Sequence, residues 1–319
     1  MSEINFDPIL LTQSLVKCAS ITPKDEGALK IVEDHLKAIG FDCYPLNFSG
    51  NNSYEVKNLF ASIGNEGKHF AYAGHTDVVP IGNESSWKYP PFSAKIDGEK
   101  LYGRGSEDMK SSVACFISAT KRYLDKYKKL KGKISFIITG DEEKDSVNGT
   151  PRILEWTSKN NYKFDHCLVG EPTSKNEVGD KIKIGRRGSI SFLFQVKGIQ
   201  GHTANSHLAE NSAHHLVSLL NSILEKPLDE GNENFLPSSI QIATIDIGNT
   251  AQNVIPELAK ATVNIRFNDL HSSDSLVQWI DKKIEKIFSK LQKASCSYTY
   301  EANAESFLNK PGYLCDLIS

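Results

Sequence analysis

The stretch His69-Phe70-Ala71-Tyr72-Ala73-Gly74-His75-Thr76-Asp77 (HFAYAGHTD) starts as an apolar, aromatic run and ends in a histidine and an aspartate two positions apart. The run reads as a buried strand. A turn at its end would need only Gly or Asn, so His75 and Asp77 call for another reason. Two more apolar runs end in the same way. Lys133–Thr139 (KISFIIT) leads into Asp141, Glu142 and Glu143, and Asp165–Val169 (DHCLV) leads into Glu171.

Helical patterns lie between and before these strands. Asp7 reads as an N-cap with Pro8 at the first helical position, a second helix runs from about Glu26 to Ile39 with Gly40 as its stop, and a third runs from Met109 to about Tyr127. The alternation predicts an α/β domain whose mixed, mainly parallel sheet is flanked by helices. In such a sheet ligands bind beyond the carboxyl ends of the strands, so His75, Asp77, Asp141, Glu142, Glu143 and Glu171 are expected to converge. Asp108, just before the third helix, adds another carboxylate.

After Asp180 the pattern changes to strand (Ser189–Val196), helix (about Ser206–Leu224), strand (Ser239–Ile247), strand (Ala261–Phe267), helix (Ser273–Leu291) and strand (Ser295–Tyr300). This β-α-β-β-α-β order predicts an inserted ferredoxin-like domain. The expected organisation is 1–181 for the first part of a catalytic domain, 182–302 for the insertion, and 303–319 for a return to the catalytic domain.

Length and composition agree with two domains. The chain has 319 residues, 39% hydrophobic and 24% charged, with a formal charge of -2, so it carries no basic field to attract nucleic acid. The six cysteines are scattered with no CxxC pair, which predicts reduced thiols. The N-terminal stretch shows no basic segment followed by a long apolar one, and no apolar run reaches the ~20 residues a bilayer requires. A cytoplasmic protein without a membrane partner is the expectation.

Each acidic feature has an ordinary explanation by itself. A His-x-Asp is commonly a hydrogen-bonded loop pair, a DEE cluster a solvated loop, and Asp108 a helix N-cap. Together they conflict, because converging carboxylates repel one another unless a cation neutralises them. One neutral imidazole with several carboxylates suits zinc, manganese or cobalt better than calcium, and the surplus of acids suits two ions sharing a bridging carboxylate. Glu142 and Glu143 are adjacent and so point in different directions; one can bind metal while the other faces water. A divalent ion brings the pKa of a water it holds to about 7, and a neighbouring carboxylate then passes the proton to a leaving amine. Asp77 is expected to hydrogen-bond the free nitrogen of His75 and fix its tautomer.

The segments GHTDVVPIG (74–82), WKYPPFSAKIDGEKLYGRGSEDMK (87–110), GDEE (140–143) and VGEPTS (169–174) resemble the co-catalytic zinc peptidases and deacylases, a family that includes acetylornithine deacetylase, aminoacylase, glutamate carboxypeptidase and the desuccinylases. KIGRRGSI (183–190), NVIPELAKATVNIRF (253–267) and FLNKPGYL (307–314) bring the likeness nearest to the desuccinylases. The resemblance implies His75, Asp108 and Glu171 as ligands of one Zn2+, with Asp108 bridging to a second ion held by Glu143, and Co2+ as an alternative metal. It implies Glu142 as proton acceptor and Asp77 as a further active carboxylate. The inserted domain would be a dimerisation lid, in which His202 stabilises the oxyanion in the partner subunit of a homodimer. Arg186, Asn253 and Arg266 match positions associated with substrate carboxylates. The implied substrate is the small molecule N-succinyl-LL-2,6-diaminopimelate, with another N-acyl amino acid such as acetylornithine as the alternative.

Several positions depart from the family pattern. Ser106, Glu107 and Lys144 stand where relatives have small residues or glycine. The family also closes its second metal site with a histidine near the end of the catalytic domain, and the last histidine here is His271. The expectation is therefore a second site without that ligand in this chain, with a catalytically silent, metal-binding and dimerising chain as the competing reading.

Overall fold

Residues 4–50, 52–127 and 129–318 are described by a computed structural model. The chain divides into two compact units at Asp180/Lys181; the expected outer domain ends, residues 1 and 319, lie outside the described residues.

In the first unit, α1 (Pro8–Lys17) starts as the sequence predicts. The Asp7 carboxylate accepts the N–H groups of Ile9 and Leu10 at 2.8 and 3.0 Å, satisfying donors that a helix start leaves unpaired. Helix α2 (Ala28–Ala38) begins two residues later than its pattern suggests, because Glu26 and Gly27 have left-handed φ values of 49° and 87°. The strands are β1 (Asp42–Gly50), β2 (Ser53–Ile63) and β3 (His69–His75), followed after α3 (Ser111–Lys126) by β4 (Lys133–Thr139), then α4 (Thr150–Lys159) and β5 (His166–Val169).

The sheet order is β1-β2-β4-β3-β5. β3 runs parallel to both β4 and β5, whereas β1 pairs antiparallel with β2 and β2 antiparallel with β4. The result is a mixed α/β sheet. The β1–β2 pair is absent from the sequence reading: Pro45 and the interspersed polar residues of β1 give no apolar run, as suits an edge strand. In β4, Phe136 and Ile138 pack with Leu15, Val32, Tyr72 and Val113 in one core, while Ile137 packs with Phe60 and Ile153 in another. Both faces are covered, so KISFIIT shows a continuous apolar run rather than an alternating one. Each fully buried large side chain contributes about 1.5–3 kcal/mol.

The second unit contains β6 (Gly188–Lys197), α5 (Ser212–Leu224), β7 (Ser239–Asp246), β8 (Leu258–Phe267), α6 (Ser273–Phe288) and β9 (Ser295–Ala304). They form an antiparallel sheet of order β7-β8-β6-β9, the ferredoxin-like arrangement. Ile190, Phe192, Phe194 and Val196 of β6 pack against Leu216, Leu220, Leu276 and Ile280 of the two helices. Helix α5 starts at Ser212 rather than Ser206. Asn211 is its cap, accepting the N–H groups of Ala213 and His214, and Thr203–Leu208 forms a separate 3-10 turn. Farther on, Phe307–Leu308 pairs antiparallel with Gly185–Arg186, and α7 (Tyr313–Ile318) follows. These last residues cluster with the second unit. Among the described residues no helix is long and apolar enough to cross a membrane.

Candidate metal centre

His75 is the last residue of β3 and is 1% exposed. Its Nδ1 lies 2.9 Å from the carbonyl oxygen of Asp77. A carbonyl only accepts, so Nδ1 is the N–H donor and Nε2 faces the acids. Around Nε2 stand Asp108 Oδ1 at 3.0 Å, Glu171 Oε1 at 3.4 Å and Glu142 Oε2 at 4.0 Å.

Asp77 orients the imidazole differently from the sequence expectation. Its backbone carbonyl is the nearer partner of Nδ1, while its carboxylate oxygen Oδ1 stands 3.5 Å away. That carboxylate has other partners as well. It accepts the Glu142 N–H at 3.1 and 3.2 Å, the Glu143 N–H at 3.1 Å, and the Thr22 hydroxyl at 2.6 Å. One side chain thus ties the strand end that carries His75 to the backbone that carries both glutamates. Burial alone would raise the pKa of Asp77; bonds from His75, Thr22 and the Glu142 N–H outweigh it and hold the carboxyl below its usual range.

Thr22 belongs to a strap that sequence reasoning missed. Ser20 Oγ donates 2.6 Å to the carbonyl of Thr76, and the Val78 N–H donates 3.0 Å to the carbonyl of Ser20. Nothing in the local pattern marks this segment, since its partners lie 55 or more residues away.

Asp108 is not a helix cap. Helix α3 begins only at Ser111, with Lys110 at its cap position, so the Asp108 carboxylate is left to face His75. Close packing fixes this loop. A Cβ on Gly74 would come within 2.7 Å of Met109 Cε and 3.2 Å of Tyr72 Cε1, so glycine here lets the end of the Met109 side chain lie close against β3. Gly105, at φ +79°, supplies the left-handed residue that starts the loop. Lys110 is fully buried and donates 2.8 Å to the carbonyl of Cys18, and burial brings its pKa down to about 8.

Two donor sets emerge, His75–Asp108–Glu143 and His75–Glu142–Glu171, each with ligand atoms within 4.8 Å of one another. Their electrostatics call for positive charge. Burial alone would lower the pKa of His75, but the hydrogen bonds to Asp108, Asp77 and Glu171 push it up to about 12. Burial and neighbouring carboxylates push Glu142 and Glu143 up, whereas the His75 bond holds Asp108 down. Carboxylates converging on a buried imidazole form a set that a divalent cation can occupy in place of the proton. The nitrogen-and-oxygen donor set fits zinc-like ions.

Asp141 does not join either set. It is 1% exposed and takes the Tyr54 hydroxyl at 2.5 Å. In the second unit, His202 and Asn253 come together: His202 Nε2 and Asn253 Nδ2 are 3.5 Å apart, and Gly201–His202 pairs with Val254–Ile255. His202 Nδ1 accepts the Ala204 N–H at 3.1 Å. Arg186 and Arg266 are exposed, Arg186 opposite Phe307 and Arg266 in β8.

A mixed α/β sheet with imidazole and carboxylates gathered past its strand ends is the architecture of a metal-dependent hydrolase of amides. Residues 71–312 match the family described as peptidase family M20/M25/M40, and the chain belongs to that family. It is 45% identical over 314 residues to a succinyl-diaminopimelate desuccinylase of Parvibaculum lavamentivorans, covering 98% of this chain and 79% of that one. It is 46% identical to the protein of the same name from Ehrlichia canis, covering 98% and 80%. Among solved structures, an aminopeptidase of Bacillus cereus matches with a TM-score of 0.74 at 16% identity, over 97% of this chain and 79% of that one. A family M20 metallo-carboxypeptidase of Sulfolobus solfataricus matches with a TM-score of 0.68 at 18% identity, over 94% and 79%. These two structural likenesses concern the fold.

Proposed function

We propose that this chain hydrolyses the amide of N-succinyl-LL-2,6-diaminopimelate to succinate and LL-diaminopimelate. The observation that carries the reading is the His75 cluster, a buried imidazole whose Nε2 has Asp108, Glu171 and Glu142 within 4.0 Å. The choice of substrate is supported by relatives of that name at 44–46% identity over 98% of the chain.

His75, Asp108 and Glu171 would hold one zinc, and Asp108 and Glu143 a second, with cobalt able to substitute. Bound divalent cations polarise the amide carbonyl and make water acidic near pH ~7. Glu142, only half-buried and raised in pKa, takes the proton of the attacking water and returns it to the departing nitrogen. The water oxygen bonds the acyl carbon, the C–N bond breaks, and the amine leaves protonated. Asp77 keeps the Glu142–Glu143 backbone and His75 in register throughout. His202 is the proposed oxyanion donor, supplied in a homodimer by the partner. Arg186, Asn253 and Arg266 are the proposed contacts for substrate carboxylates, where guanidinium forks suit paired oxygens. A cytoplasmic setting belongs to the same reading.

The test is succinate release by the purified chain reconstituted with Zn2+ or Co2+, with N-acetylornithine as competing substrate. Selective release of succinate is expected. Preference for acetylornithine would overturn the substrate, and no amide hydrolysis at all would overturn the function.

A further inference from the structure

The loop between β4 and α4 carries Glu142 and Glu143, yet Lys144, Asp145 and Ser146 within it are exposed, and Ser146 has a left-handed φ of 56°. No regular element stiffens it. Asp77 grips it through two adjacent N–H groups, and Oδ2 of Asp77 accepts from both. Ser146 Oγ adds a bond within the loop, donating 2.9 Å to the Glu142 carbonyl, so the glutamate pair itself is held while its flanks, Asp141 and Asp145, are fixed from elsewhere.

The start of β2 supplies further anchors, although it lies outside both donor sets. The Tyr54 hydroxyl donates 2.5 Å to Oδ1 of Asp141 and accepts the Asp145 N–H at 3.2 Å. It thereby clasps the residues on either side of the glutamate pair. Oδ2 of Asp141 has no hydrogen-bond partner among the described residues, so this carboxylate is anchored through Oδ1. Ser53 Oγ donates 2.9 Å to Asp145 Oδ2, Asn148 Nδ2 donates 2.8 Å to the Tyr54 carbonyl, and Lys144 Nζ sits 4.8 Å over the Tyr54 ring.

We propose that Tyr54 is a positioning residue for the reaction: its hydroxyl, bridging Asp141 and Asp145, fixes both flanks of the loop and so keeps Glu142 and Glu143 aimed at the site of His75. This rests on the role given to Glu142 above. Displacing a reacting group by about 1 Å costs on the order of 100-fold in rate, so a single hydroxyl outside the donor sets has leverage on turnover.

Tyr54→Phe keeps the ring and its contact with Lys144 and removes only the hydroxyl. Two readouts are compared with the wild-type chain. In the metal-free protein, hydrogen exchange at the amides of Glu142 and Glu143 is expected to quicken about 10-fold while Phe136–Ile138 in β4 keep their protection. In the reconstituted enzyme, kcat is expected to fall about 10- to 100-fold with KM little changed, the pattern of a group that acts on the transition state. Unchanged exchange at 142 and 143 overturns the proposal. So does faster exchange throughout the first unit with kcat intact, because the hydroxyl then serves only the stability of the fold. Exchange needs neither metal nor substrate, so an inactive wild-type chain would sink the proposed function, and with it the role in turnover, while exchange still decides whether the Tyr54 hydroxyl anchors Glu142 and Glu143.

Discussion

Nε2 of His75 lies 3.0 Å from Oδ1 of Asp108, although 33 residues separate them in the chain. The contact joins the end of β3 to the loop before α3, and two further acids stand within 4.0 Å of the same nitrogen. A buried imidazole among so many carboxylates is stable only with positive charge present, as a proton or as a metal ion.

Metal removal is therefore expected to lower stability. A ligand present at about 100 times its Kd stabilises the native state by about 2.7 kcal/mol. Calorimetry of the Zn2+-loaded chain with and without a chelator should show the midpoint dropping by several degrees. In His75→Ala the chelator should have almost no effect; an equal drop in the variant would remove His75 from the metal set.

Replacing Glu142 by Gln preserves size and deletes the proton acceptor. Turnover is expected to fall by about 100- to 10,000-fold, while metal content measured by elemental analysis stays at the wild-type level. Loss of metal in this variant would make Glu142 a ligand, as its place in the set with His75 and Glu171 allows.

Gly74→Ala tests the packing that seats Asp108. The added methyl meets Met109 Cε, the end of a flexible side chain, at 2.7 Å, so the cost is expected at the low end of overpacking, about 1 kcal/mol. Denaturant unfolding should show that loss, and metal affinity should weaken with it because Met109 adjoins Asp108. Wild-type affinity would show that the loop is placed by other contacts.

Asp229 in the second unit predicts an acid limit. Burial alone would raise its pKa, but bonds from Ser238, the Gly231 N–H and Asn268 bring it down from 3.8 to about 2. With a folded pKa below the unfolded one, its stabilisation is complete above pH ~4 and is lost as pH falls toward 2. Asp229→Ala should cost about 2–3 kcal/mol near neutral pH. The difference between variant and wild type should shrink across that acid window in a pH series of unfolding curves; a constant difference would refute the linkage.

The side chains of the His75 cluster are legible in the sequence because a side chain brings its donor atoms with it. His75, Glu142, Glu143 and Glu171 could each be read at or just beyond the end of an apolar run, and β3 and β4 appear where those runs stand. Asp108 is readable as a candidate for the cluster, and its Oδ1 stands 3.0 Å from His75 Nε2; its ordinary explanation as an N-cap is excluded by the later start of α3, whose cap position is Lys110. The helix starts at Ala28 and Ser212 moved for similar reasons, since left-handed residues before α2 and the Asn211 cap before α5 are local details that apolar periodicity does not record.

The sequence by itself determined the two α/β patterns, the strand ends and the set of metal-competent side chains, because periodicity and chemical identity are local properties. Tertiary structure decided how those side chains are held. The Thr22–Asp77 and Tyr54–Asp141 hydrogen bonds span 55 and 87 residues, and a hydrogen bond exists only within a few tenths of an ångström of its proper length and along a narrow range of directions. Such a condition is met when strands and loops are packed in three dimensions, and no spacing along the chain encodes it.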